Sequence, residues 1–97
     1  MDRTTVISRL QQALPGLRGK YGIARLCLFG SVARDEAQLG SDVDIFVVFQ
    51  DPATLDGFMG LKAELEALLE APVDLATAKS LRPSLRALAG KDFLDVA

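Results

Sequence analysis

The chain has no histidine and only one cysteine among its 97 residues. Without histidine, Ser-His and Cys-His nucleophile pairs and the ordinary His-containing zinc sites are excluded, so carboxylates must carry any catalysis. Cys27 cannot close an internal disulfide, and its place inside an apolar run makes it a buried small hydrophobe rather than a reactive thiol. An excess of positive charge is also missing: 11 Lys and Arg stand against 13 Asp and Glu, a formal net charge of -2. The chain therefore offers no basic field for long nucleic acid, which argues against a templated polymerase and leaves small charged substrates that bring their own cations. No apolar run approaches the ~20 residues of a membrane span. Met1 to Thr5 show no basic segment leading into an apolar one, so no secretory signal is expected and the cytoplasm is the expected compartment.

What is present is a globular composition, 49% hydrophobic and 25% charged. Its length predicts a single domain over residues 1–97, with no second substrate domain. Val6, Ile7, Leu10 and Leu14 fall at helical spacing and predict an amphipathic helix over residues 3–14, interrupted at Pro15-Gly16 before a short turn through Lys20. Arg3, Arg9, Arg18 and Lys20 along it are expected to be solvated charges rather than phosphate ligands. Tyr21-Gly22 leads into a central strand, Ile23 to Phe29. A tight turn at Gly30-Ser31, a short helix from Val32 to Leu39 and a second turn at Gly40-Ser41 follow. Asp42-Val43-Asp44 then opens a second strand, Ile45 to Phe49.

After a loop at residues 50–54 with capping residues, Phe58, Leu61, Leu65, Leu68 and Leu69 mark one face of a helix that Pro72 ends. Glu64, Glu66 and Glu70 point to its solvated side. Val73 to Thr77 is strand-like, with Val73 and Leu75 on one face and Asp74 on the other. From Ser80, Leu81, Leu85, Leu88 and Phe93 are interrupted by Pro83 and Gly90, which predicts a short helix and a tail that packs back. The class is α/β: a small mixed β-sheet of about three strands with helices mainly on one face.

The chemistry concentrates between Gly30 and Asp44. Alternating strand side chains put Asp42 and Asp44 on one face, with Cα atoms roughly 6.5–7 Å apart. Two ionised carboxylates at about 4 Å repel by roughly 4 kcal/mol at an effective dielectric near 20, which protonation, water or a divalent cation must offset. Hard cations prefer oxygen ligands, which makes Mg²⁺ the natural candidate. Gly30 lets the backbone turn close to a ligand, and Ser31 with the amides that follow offers donors to a phosphate. The plain alternative is a pair of aspartates that solvates a strand end. Taken alone, Asp74 in a short strand reads as an exposed edge residue.

Gly-Ser, ten residues, Asp-x-Asp arises by chance in about one chain per thousand of this length. At Gly30-Ser31 and Asp42-Val43-Asp44 the chain resembles the minimal nucleotidyltransferase family, the small branch of the DNA polymerase beta-like superfamily. The resemblance takes in Phe29, Ala33-Arg34 and Ser41, and places Asp74 of Val73-Asp74-Leu75 as the third carboxylate. Asp35 departs from it, standing where a glycine is common, and the C-terminal segment is shorter and richer in alanine. The resemblance implies a polymerase beta-like nucleotidyltransferase fold. It also implies transfer of a nucleoside monophosphate, AMP from ATP, to a hydroxyl, with two Mg²⁺ ions held by Asp42, Asp44 and Asp74. Gly30 and Ser31 would hold the β/γ-phosphates, and Arg34 either reaches a phosphate or forms a structural ion pair. Stand-alone members resemble antitoxins that act on HEPN-domain toxin partners, which suits a chain whose acceptor comes from another protein. The alternative is a binding module that keeps the fold and neutralises its partner by contact.

Overall fold

Helix α1, Arg3–Tyr21, opens the fold. Its first turn is capped by Asp2, whose carboxylate accepts the Thr5 N–H at 2.8 Å. The helix does not stop at Pro15 but runs through it. Leu17 continues the buried stripe of Val6, Leu10 and Leu14, while Pro15 faces solvent. The apolar stripe thus outweighs the lost N–H and the crowding that a helix-interior proline brings, about 3 kcal/mol. Gly22, at φ 67°, ends α1 in the left-handed region and donates to the Arg18 carbonyl at 2.9 Å.

The computed structural model describes residues 2–35, 42–52, 54–77 and 93–96. Strand β1, Ile23–Phe29, has the expected limits. The helix after it, α2, is a single turn, Gly30–Ala33, that starts at the glycine itself, and Asp35 at φ 59° breaks the helical run; residues 36–39 of the expected helix lie outside the described residues. The expected turn at Gly40-Ser41 and the helix from Ser80 lie outside the described residues. Strand β2, Val43–Phe49, begins two residues earlier than the apolar run and so includes Asp44. Helix α3, Leu55–Leu69, is capped by Thr54, whose hydroxyl accepts the Gly57 N–H at 3.0 Å, and buries Leu61, Leu65 and Leu69. Strands β3, Val73–Ala76, and β4, Leu94–Asp95, complete the described elements.

Among the described residues the sheet has four strands rather than about three, in the order β3-β2-β1-β4. β2 and β3 are parallel, and the other pairs are antiparallel. A register shift between Ile23 and Arg25 puts Ile23 and Leu26 on the same face despite their odd spacing. That face carries the main core, in which Leu26, Leu28, Ile45, Val47 and Leu75 pack against α1 and α3. The opposite face holds a smaller cluster of Cys27, Phe29, Phe46 and Ala76 with Phe93 against it.

The acidic side of α3 is not the free surface expected. Glu64 pairs with Lys20, Glu70 with Arg9 at 3.5 Å, and Glu66 accepts the Val73 N–H at 3.0 Å. These carboxylates join α3 to α1 and to the start of β3. Among the described residues no helix is long and apolar enough to cross a membrane.

Candidate active site

The site forms where β1 ends. Phe29 is the register partner of Asp44 on β2, so the next residue, Gly30, falls beside the Asp44 side chain. A Cβ on Gly30 would lie 2.1 Å from Asp44 Oδ2 and 2.9 Å from its Cγ, and Gly30 sits at φ 74°. Both facts require glycine. The two parts of the Gly-Ser and Asp-x-Asp pattern thus touch. Glycine at position 30 makes room for a carboxylate of the same chain, a reason the local sequence does not reveal.

Asp44 is also the register partner of Asp74 on the parallel strand β3. Adjacent strands lie about 4.8 Å apart. The neighbours Val43, Ile45, Val73 and Leu75 all enter the helix-side core, so the alternation of strand side chains directs both acids to the other face. Asp42 stands one residue before β2 and is exposed, as is Asp74, while Asp44 is half-buried. The electrostatics tie these groups together. Burial first, then the charges of Asp74 and Asp42, push the Asp44 carboxyl up to about 6, while the Arg34 guanidinium opposes them.

Ser31 is half-buried in α2, and Arg34 caps that turn, its N–H donating to the Gly30 carbonyl at 3.1 Å. All six residues singled out from the sequence therefore lie in α2 or at its end, at the start of β2 or at the start of β3. Among the described residues, no three His, Cys, Asp or Glu side chains are gathered tightly enough, as they stand, to hold a metal ion. The donor chemistry nevertheless suits a hard cation. Asp42, Asp44 and Asp74 are all oxygen donors, and Asp44, raised first by burial, also feels the charges of the other two.

Other parts of the neighbourhood were not apparent from the sequence. The Phe93 ring packs at 5.2 Å from Phe29 and 5.0 Å from Phe46, covering the apolar part of the sheet face that bears the acids. The available signal was the alternation that sends Phe46 the same way as Asp44. Cys27 is buried, as expected, and its Sγ donates to Asp95 Oδ1 at 3.0 Å. Burial and that aspartate push the thiol up to about 12, so it is unreactive near neutrality. Arg3 and Arg9 are not free solvated charges. They donate to the carbonyls of Ala33 and Leu68 at 3.1 and 3.2 Å. A cavity of about 230 Å³ between Tyr21, Phe49 and Thr54 lies at the other end of β1 and β2 and contains none of the site residues.

A glycine turn against an aspartate pair, carried on this sheet, is the arrangement of the nucleotidyltransferases. Residues 10–94 match the model of the Nucleotidyltransferase domain family, and the chain belongs to it. It is similar to protein adenylyltransferase MntA of Thermococcus cleftensis, 42% identical over 69 residues that cover 71% of this chain and 70% of that protein. It is also 34% identical over 90 residues to a Methanocaldococcus jannaschii protein provisionally named a protein adenylyltransferase, covering 93% of this chain and 97% of that one. Among solved structures it resembles one described as a minimal nucleotidyltransferase, with a TM-score of 0.80, 37% identity and coverage of 97% and 95% of the two chains. A toxin-antitoxin structure with AMP-PNP shares the fold at a TM-score of 0.73 and 21% identity, over 90% of this chain and 72% of that one. The small mixed sheet with α1 and α3 on one face is thus the minimal nucleotidyltransferase fold.

Proposed function

We propose that this chain acts in the cytoplasm as one nucleotidyltransferase domain that moves AMP from ATP to a hydroxyl of a partner protein, as the antitoxin of a HEPN toxin. The observation that carries the reading is the close approach of Gly30 to Asp44, with Asp74 as the register partner of Asp44. This arrangement gathers acids beside a backbone turn that offers amide donors. The relatives named as protein adenylyltransferases support the nucleotide and the acceptor class. The fold shared with a toxin-antitoxin structure containing AMP-PNP supports the setting.

Asp42 and Asp44 would hold magnesium together with the triphosphate, and Asp74 would hold the ion on the acceptor side. Bound magnesium would supply neutralising charge for the triphosphate and the departing pyrophosphate. The protein's own groups do the rest. Gly30 and Ser31 hold the β- and γ-phosphates, and Arg34, whose charge already reaches Asp44, adds a cation on the phosphate side. Asp74 is exposed and so reachable by a hydroxyl from another chain, whose proton it accepts. The acceptor oxygen then bonds to the α-phosphorus as the bond to the bridging oxygen breaks, releasing pyrophosphate.

Labelled ATP, mixed with this protein and a HEPN partner, tests the reading. Wild type should label the partner. Asp74→Asn should keep nucleotide and partner binding but lose about 10²–10⁴-fold in transfer, the usual worth of a general base. Unchanged labelling would remove Asp74 from the mechanism. No label, with the partner still neutralised by both forms, would leave a contact-only binding module.

A further inference from the structure

Helix α2 is one turn long, too short to be held by its own hydrogen bonds. Yet it carries the two residues assigned to the phosphates, Gly30 and Ser31. What fixes its far end is therefore a functional matter. A helix starts with N–H groups and ends with carbonyls that lack partners within it. The start of α1 and the end of α2 satisfy each other. The exposed Arg3 donates from Nη1 to the carbonyl of the buried Ala33 at 3.1 Å. In return, the Asp35 carboxylate accepts the Arg3 backbone N–H at 3.4 Å. The left-handed Asp35, at φ 59°, interrupts the helical ladder at that point and turns its carboxylate into this exchange.

We propose that Arg3 is a positioning residue for nucleotide transfer: by capping α2 from α1, it keeps Gly30 and Ser31 in place beside Asp44. The inference rests on the nucleotidyltransferase reading and extends it to a residue outside the sequence motif. Arg3 acts through geometry, since the guanidinium felt by Asp44 is that of Arg34. Anchored by Gly30 against Asp44 at one end and by Arg3 at the other, α2 cannot tilt without breaking a contact. The acids stand on β2, just before it, and on β3, so loosening α2 should affect nucleotide affinity more than the chemical step.

Arg9 provides a matched control, because it makes the same kind of bond from α1 to the last turn of α3, at Leu68 O, 3.2 Å. The experiment measures steady-state kinetics with Mg-ATP and a HEPN partner, with hydrogen exchange at the Arg34 and Asp35 amides, which donate to the Gly30 and Val32 carbonyls. Loss of one charge-assisted hydrogen bond in Arg3→Ala should raise KM for ATP about tenfold and speed exchange by a similar factor, with kcat within about threefold of wild type. Arg3→Lys, which keeps a charged donor, should recover most of both. Arg9→Ala should leave KM and α2 exchange as in wild type while lowering Tm.

The proposal is overturned if Arg3→Ala changes neither quantity, or if Arg9→Ala changes both as much, because the effect would then be general loosening. Wild type that neither binds nor transfers nucleotide overturns the underlying reading and the positioning role with it. Exchange alone would in that case still report whether the α1-α2 tether exists, which separates the two failures.

Discussion

Asp44 is the residue on which the opposing forces meet. Its carboxyl is pushed up to about 6 by burial and by Asp74 and Asp42, above its ordinary value of 3.8. A folded-state pKa above the unfolded one favours the protonated form in the fold. The associated stability is fully present below about pH 4 and is lost as pH rises through about 6. For a half-buried group the loss is about 1–2 kcal/mol. In EDTA, Asp44→Asn should therefore melt higher than wild type above pH 6, by about 4–8 °C per kcal/mol, and the gap should close near pH 4. An equal gap at pH 4 and pH 8 would show that the charge is not the cause. Gly30 supplies the steric counterpart. Gly30→Ala places a Cβ 2.1 Å from Asp44 Oδ2 at φ 74° and should cost about 2–4 kcal/mol. Adding Asp44→Ala removes Oδ2 and Cγ but leaves Cβ at 3.2 Å, so in urea melts the double variant should be the more stable of the two. A harmless Gly30→Ala would refute the contact. The glycine and both aspartates were legible in the sequence through their spacing. The reason for the glycine was not, because it depends on how β1 pairs with β2.

At the scale of elements, local pattern succeeded where it was long and failed where packing overrode a local signal. Strand β1 and the buried face of α3 follow from runs of apolar residues at the right period. Pro15 misleads, because a proline normally ends a helix. The corrective signal was Leu17, three residues after Leu14, which keeps the stripe of α1 intact. Two-residue β4 has no period to read. It is held by long-range contacts: the Val96 N–H donates to Leu26 O at 2.9 Å, and Asp95 pairs with Arg25 at 2.9 Å. The early break of α2 arises at Asp35, the position where the family resemblance expects glycine. A φ of 59° there explains that preference, and aspartate is among the side chains that tolerate it best.

For the whole molecule, the strands that carry the acids come from distant parts of the chain, so the site exists only when the sheet is assembled. Assembly without a cation leaves uncompensated negative charge at one end of that sheet. ATP should consequently bind appreciably only with Mg²⁺ or Mn²⁺, because the acids repel a bare triphosphate. Calorimetry with and without EDTA measures this, with Asp42→Asn and Asp44→Asn expected to weaken the metal-dependent binding. Equal affinity in both buffers would contradict a metal-bridged site.

The pairing of Asp44 with Asp74 also bears on which alignments of β2 and β3 the chain can accept. Sliding β3 by one residue would turn Asp74 toward the layer filled by Leu61, Leu65 and Leu69, where an unpaired carboxylate costs several kcal/mol. Sliding it by two would keep the faces but set Asp44 opposite Pro72 or Ala76, either dropping a strand hydrogen bond or moving apolar surface to the open end. The native alignment carries a modest electrostatic penalty, and the nearest wrong one a larger penalty from the same side chain. The two carboxylates therefore help to select the strand alignment that creates the site.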